Sequence, residues 1–243
     1  MLEPKTPAFL LLLLGSVVTC VPKVDCVQQI ITSETRELSV PVAAGQPSFS
    51  VRISAEGQTG TVAVLDEKGA EVQKLACLLL RDHAEVTQEE LAAVREQFVS
   101  HFVIADLDSD GHIDLAGVRE FGANWARYCV WRYDKKQHKY SRDFLAEQME
   151  LLTNLRPLGG GQISSSHMGP TNSSIAVYRV VEADGTEPVR QLVPLRSCLV
   201  ERRPNGAIQV VAQFKEGQTV VRRRGIAEKD VISALNECAV GGL

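Results

Sequence analysis

Asp106-Leu107-Asp108-Ser109-Asp110-Gly111-His112-Ile113-Asp114 sets three carboxylates at alternate positions, follows them with a glycine, and adds a fourth carboxylate three residues later. What lies on either side of this stretch decides how the chain is read. Upstream, Thr87-Gln88-Glu89-Glu90 is a capping box, with a hydroxyl at the helix start and a carboxylate three residues on. Behind it Leu91, Val94, Phe98 and Phe102 recur at three- and four-residue spacing and predict one apolar helical stripe. Downstream, Leu115, Val118, Phe121, Trp125 and Tyr128 repeat that spacing and predict a second helix. A third pattern starts after Ser141 and uses Leu145, Met149, Leu152 and Leu155.

An acidic loop between two helices is a place for a hard cation. Calcium takes six to eight oxygens at about 2.3–2.6 Å, and carboxylates at alternate positions of a tight loop converge on one point. The expected ligands are Asp106, Asp108, Asp110, the backbone carbonyl of His112, and Asp114. Gly111 supplies the sharp turn, and Ile113 pins the loop to the core. Over roughly residues 91–127 the chain resembles the EF-hand family. That resemblance implies a calcium ion held between the helices at 87–102 and 115–130. One position departs from the family pattern: the twelfth, normally a bidentate glutamate, is Gly117, and the next carboxylate is Glu120. The resemblance therefore implies weak binding, in the roughly 0.1–1 mM range of extracellular modules. Asp134 to Phe144 is the candidate partner loop, able to pair but not to bind, because Lys136 and His138 occupy ligand places.

Around this module the chain reads as strands. Phe49–Ile53 and Thr61–Leu65 alternate, Asp66-Glu67-Lys68-Gly69 is a turn, and Val72–Leu80 returns. Pro157, three glycines at 159–161, the serines and Pro170 make 157–174 a predicted linker. Strands resume at Ile175–Val181 and Val189–Val200, then Ala207–Phe214 and Thr219–Arg223, before a last helix at Ala227–Val240. The expected fold class is α+β: a β-hairpin region, a central helical EF-hand-like module, and a C-terminal β-rich region with a terminal helix. The expected units are 1–20, 21–156, the linker 157–174, and 175–243. Two stretches, Val64–Leu79 and Val180–Val200, share the order strand, acidic-glycine turn, strand, cysteine; a weak internal duplication would explain this, and so would chance.

The N-terminus has the basic, apolar, small order of a signal peptide, with Lys5, Ala8–Leu14 and then Gly15–Cys20. Cleavage is expected after Cys20, or alternatively after Ser16. Elsewhere no run approaches the roughly 20 apolar residues of a membrane-spanning helix. Secretion is the expectation, with the endoplasmic reticulum lumen as the alternative. The six cysteines at 20, 26, 77, 129, 198 and 238 show no C-x-x-C spacing, which speaks against zinc and thioredoxin chemistry. In an oxidising compartment they pair. The expected pairs are Cys77 with Cys129 and Cys198 with Cys238, although sequence does not determine connectivity. Asn172-Ser173-Ser174 is a glycosylation acceptor site.

Arg222, Arg223 and Arg224 are a candidate contact for an acidic glycan, or else a solvated strand face. Nothing interleaves aromatic with basic residues as a nucleic-acid groove would. The five histidines lack metal-ligand spacing, and no G-x-S-x-G, P-loop or dinucleotide fingerprint is present. An enzyme is therefore not the leading expectation. The segment Val62–Arg95, a hairpin ending in Cys77 followed by an apolar helix, resembles the start of a BRICHOS domain. That resemblance implies a secretory-pathway chaperone whose strand cysteine pairs with a helix cysteine. The leading expectation is a secreted calcium-binding interaction protein, with the chaperone or accessory role second and an unrecognised hydrolase third.

Overall fold

The computed structural model describes residues 35–43, 48–81, 83, 85–169, 173–183, 189–202, 205–214 and 220–239, with the backbone alone at 183, 214 and 220–223. The expected signal peptide at 1–20, Cys26 and the acceptor Asn172 lie outside the described residues.

Four strands form a first antiparallel sheet in chain order: β1 (Thr35–Pro41), β2 (Ser48–Glu56), β3 (Thr59–Leu65) and β4 (Glu71–Leu78). Helix α1 (Gln88–Ser100) follows. Its capping box forms as the sequence predicts: the Glu90 N–H donates to the Thr87 hydroxyl, and the Glu90 carboxylate accepts from the Thr87 N–H. The buried face of α1, Leu91, Val94, Phe98 and Val99, packs on this sheet.

The expected second helix does not exist, and with it goes the central helical module. The chain instead forms a second antiparallel sheet from β5 (Val103–Ala105), β6 (Asp114–Gly122), β7 (Trp125–Asp134) and β8 (Lys139–Ser141). Leu115, Val118 and Phe121 lie on β6; Trp125 and Tyr128 lie on β7. The reason is burial on both faces. Leu115, Cys129, Trp131 and Tyr133 enter the core shared with α1 and the first sheet. Ala116, Tyr128 and Val130 face a different core. Every residue from Asp114 to Glu120 is therefore buried. A strand buried on both faces loses the polar–apolar alternation that would announce it, and its apolar residues fall by accident at helical spacing. The candidate partner loop after Asp134 is the turn between β7 and β8.

Helix α2 (Phe144–Glu150) is shorter than its apolar pattern suggests and starts at Asp143, whose carboxylate accepts the Ala146 N–H at 2.9 Å. It covers the free edge of β7, where the Glu150 carboxylate accepts the Val130 N–H at 3.1 Å. That contact protects an edge that could otherwise pair with another chain.

A third sheet has six antiparallel strands: β9 (Arg156–Gly159), β10 (Gln162–Met168), β11 (Ser173–Ala183), β12 (Val189–Arg202), β13 (Ile208–Phe214) and β14 (Val220–Ile226). Where the composition predicts a linker at 157–174, the described residues up to Met168 form the hairpin of β9 and β10 in this sheet. Its glycines at 159–161 adopt positive φ and turn the hairpin between them. A bulge between Val177 and Tyr178 changes which side chains face inward. Ile175 and Val177 before it pack under α3 (Val231–Ala239); Tyr178 and Val180 after it pack toward α2. One long ribbon, β11–β12, therefore serves two cores.

The protein is mostly β, with three antiparallel sheets and three short helices among the described residues. Cys77 on β4 bonds Cys129 on β7, which joins the first sheet to the second; Cys198 on β12 bonds Cys238 on α3. These are the two pairs that the sequence reading favours. The partners of the two strand cysteines differ, Cys129 lying on a strand and Cys238 on a helix.

Candidate cation loop and adjoining cleft

The acidic stretch is the loop between β5 and β6. Ser109 and Gly111 adopt positive φ, which lets nine residues fold back tightly enough to return into the sheet. Its carboxylates first satisfy the loop's own backbone. Asp106 accepts the N–H groups of Asp110 (3.0 Å) and Gly111 (2.9 Å). Asp114 accepts from Leu107 (3.1 Å) and from Tyr133 on β7 (3.0 Å). The Ile113 N–H donates to the Val42 carbonyl at 2.8 Å, tying the loop to the end of the first sheet.

Asp106, Asp108 and Asp114 each offer a carboxylate oxygen, and these oxygens lie within 4.8 Å of one another. Asp108 and Asp114 are 1 % exposed. This triad can hold a metal ion. Burial and the neighbouring Asp108 carboxylate push the Asp114 carboxyl well above the usual carboxylate range, against the Tyr133 N–H, which favours the charged form. Asp110 and His112, also expected as ligands, are not part of the triad. Asp110 accepts the His112 N–H at 2.9 Å and lies 3.2 Å from His112 Nδ1; the His112 ring stacks on Tyr133.

Two arginines that sequence reasoning missed complete the site. Arg132 on β7 donates from Nε to Asp108 Oδ2 at 2.6 Å, and its guanidinium also pairs with Asp143 at the start of α2. Arg190 on β12 reaches the same Asp108 carboxylate with Nη1, donates from Nη2 to the Asp108 carbonyl at 3.2 Å, and lies 3.3 Å from Asp110 Oδ2. Arg190 is 82 residues from Asp108, and no local pattern points to it. Three carboxylates, those of Asp108, Asp110 and Asp143, thus share two guanidiniums, while Asp106 and Asp114 accept backbone N–H groups.

Beside the loop is a cleft of about 690 Å³, walled by the β7–β8 hairpin, the N-terminus of α2 and the facing ends of β11 and β12. Arg132, Arg190 and Asp110 reach its base, and Lys135, Lys136, Phe144 and Val189 stand at its sides.

The tyrosines around the site carry a testable consequence. Burial raises the phenol pKa of all four, Tyr128, Tyr133, Tyr140 and Tyr178, above the usual 10.0. The Tyr140 hydroxyl is buried without a hydrogen-bond partner. A phenol whose pKa is raised on folding contributes stability that is full below the unfolded pKa and lost as pH climbs toward the folded one. Tyrosinate absorbance is therefore expected to appear above the range of free tyrosine, together with loss of tertiary circular dichroism. Titration of one or more phenols at the free-tyrosine pKa in the folded protein would contradict this packing.

Of the residues expected to meet an acidic glycan, Arg224 is paired with Glu237 of α3 at 2.8 Å; the side chains of Arg222 and Arg223 lie outside the described residues. Among the described residues, no helix is long and apolar enough to cross a membrane. Together with the two disulfides, this is compatible with an extracellular or secreted protein. No family model, curated protein or solved structure matches the chain.

Proposed function

We propose that the chain is a secreted calcium-binding interaction protein, in which the ion locks the β5–β6 loop and fixes the surface around it. The observation that carries this reading is the convergence of the Asp106, Asp108 and Asp114 oxygens within 4.8 Å, two of the three groups being buried. Three carboxylate oxygen donors suit a hard cation, and an ion among them offsets the burial and mutual repulsion that disfavour the charged form of Asp108 and Asp114. The ion would act structurally: it would relieve repulsion between Asp108 and Asp114 and hold β5 against β6 and β7.

A thermal melt in metal-stripped buffer, titrated with calcium, tests this. With binding of roughly 1 mM, about 10 mM calcium stabilises by ~1.4 kcal/mol, a rise in melting temperature of roughly 3–5 °C. Asp106→Ala is expected to abolish the rise. The metal-free protein carries a second signature. The Asp114 carboxyl titrates above its unfolded value, so its contribution is full below the unfolded pKa and is lost as pH rises through the folded one. Metal-free stability should therefore fall as pH rises above the usual carboxylate range, and calcium should suppress that fall. No melting shift with calcium would refute the reading.

A chaperone-like accessory role is the second reading. The Cys198–Cys238 bond, which ties a strand to a helix, favours it, whereas Cys77, in the segment that carried the resemblance, pairs with Cys129 on a strand and not with a helix cysteine. Failure to slow fibril growth of a β-prone client would remove it.

A further inference from the structure

Arg190 ties the cation loop to the cleft, and its charge belongs to both. Its guanidinium has Asp108 and Asp110 as its carboxylate partners. Arg132, buried beside it, has Asp143 in addition. A divalent ion held by Asp106, Asp108 and Asp114 competes for the carboxylate that Arg190 uses and repels the guanidinium across a few ångströms. Arg132 keeps Asp143. Arg190 is the partner that yields, because it is a quarter exposed and already borders the cleft.

Among the described residues, four acidic and four basic side chains line the cleft. An ion behind Asp108 would add positive charge beside the cleft and free the Arg190 guanidinium from Asp108, leaving it Asp110 at 3.3 Å at the base of the cleft. Lys135 and Lys136 stand at the rim on the β7–β8 turn. Phe144 and Val189, 51 % and 44 % exposed, add an apolar wall. A guanidinium that donates two parallel hydrogen bonds to a carboxylate, flanked by lysines and by an aromatic surface, suits an acidic peptide with apolar side chains.

We infer that this cleft is a calcium-gated receptor for an acidic, apolar peptide segment of a partner protein, with Arg190 exchanging Asp108 for the peptide carboxylate. The inference rests on the calcium reading above. It also requires positive coupling: calcium and peptide must tighten each other by the same factor.

The test uses calorimetry with calcium chloride and fluorescence anisotropy with a labelled peptide alternating glutamate and phenylalanine. Both are run on the wild-type chain and on Arg190→Met. Calcium is expected to bind Arg190→Met roughly 10-fold more tightly than wild type, because an internal competitor has gone. The peptide is expected to bind wild type in calcium, roughly 10-fold more weakly without it, and Arg190→Met weakly in both conditions. In wild type alone, saturating peptide must tighten calcium binding by the factor by which calcium tightens peptide, a measurement that needs no variant to fold. Absence of calcium binding to either protein would overturn the cation site and the gate together. Equal calcium affinity in the two proteins, or peptide binding indifferent to calcium, would overturn the gate and leave the cation site standing. Calcium-dependent binding of a sulfated oligosaccharide in place of the peptide would overturn the assignment of the ligand.

Discussion

Gly117→Ala is expected to cost about 3 kcal/mol or more, and Gly117→Glu to prevent folding. Gly117 lies on β6 with the ring of Phe98 directly over it: a Cβ placed there would meet Phe98 Cε2 at 2.4 Å. The ring is tightly held, because a Cβ on Gly60 of β3 would also meet it, at 2.6 Å. Phe98 is fully buried between these two glycines and stands edge-on to Phe102. Overpacking of this kind costs roughly 1–3 kcal/mol when neighbours can shift, and here they cannot. A glutamate adds a charge with nowhere to reach water. This prediction separates two accounts of one residue. In a helix–loop–helix frame Gly117 is a missing calcium ligand, and glutamate should restore affinity. In the observed frame it is a packing site, and glutamate should destroy the protein. Urea unfolding of both variants decides between them. Phe98→Leu combined with Gly117→Ala should recover part of the loss, because the smaller side chain vacates the clash. Additivity of the two single losses would mean that the ring is not what excludes the Cβ.

Replacing Cys77 and Cys129 together by alanine is expected to cost about 4 kcal/mol and roughly 10 °C in melting temperature. The bond closes a loop of 52 residues, and the chain entropy it removes from the unfolded state grows with the logarithm of that length. Both cysteines are buried in the core between the first and second sheets, so the folded state also depends on their packing. The pair Cys198 and Cys238 closes a shorter loop of 40 residues, and its bond holds one short helix on one sheet. Its loss should cost somewhat less by loop length and mainly free α3, measurable as faster amide exchange over Val231–Ala239. Equal exchange throughout the molecule in that variant would mean that the bond does not anchor the helix.

The calcium and pH experiments concern the loop, whereas these two concern the frame that carries it. The loop's charge depends on the frame: Arg132 and Arg190 come from β7 and β12, and neither strand flanks the loop in the chain. A change that loosens the packing around Phe98 should therefore also weaken cation binding, although it touches no carboxylate.

What sequence alone determined about this protein is local. The capping box at Thr87 and Glu90, the acidic loop from Asp106 to Asp114 with its turn at Gly111, and the hairpin around Asp66–Gly69 were legible because their physics is satisfied within a few residues. The favoured cysteine pairs match the bonds in the structure. What only the tertiary structure decided is every feature whose cause lies in a distant segment. β6 is a strand because two cores press on it from opposite sides, and that pressure erased the alternation by which a strand is recognised. Gly117 is a glycine because Phe98 needs its space, and that ring is packed by a third element, β3. Gln162–Met168 is a strand because β11 offers it a ladder, and Arg156–Gly159 pairs with it in turn, which outweighs the glycine-rich composition between them. Arg190 neutralises Asp108 from 82 residues away. Long-range electrostatics and double-faced burial are properties of the folded assembly of segments, and a pattern read along one segment does not contain them.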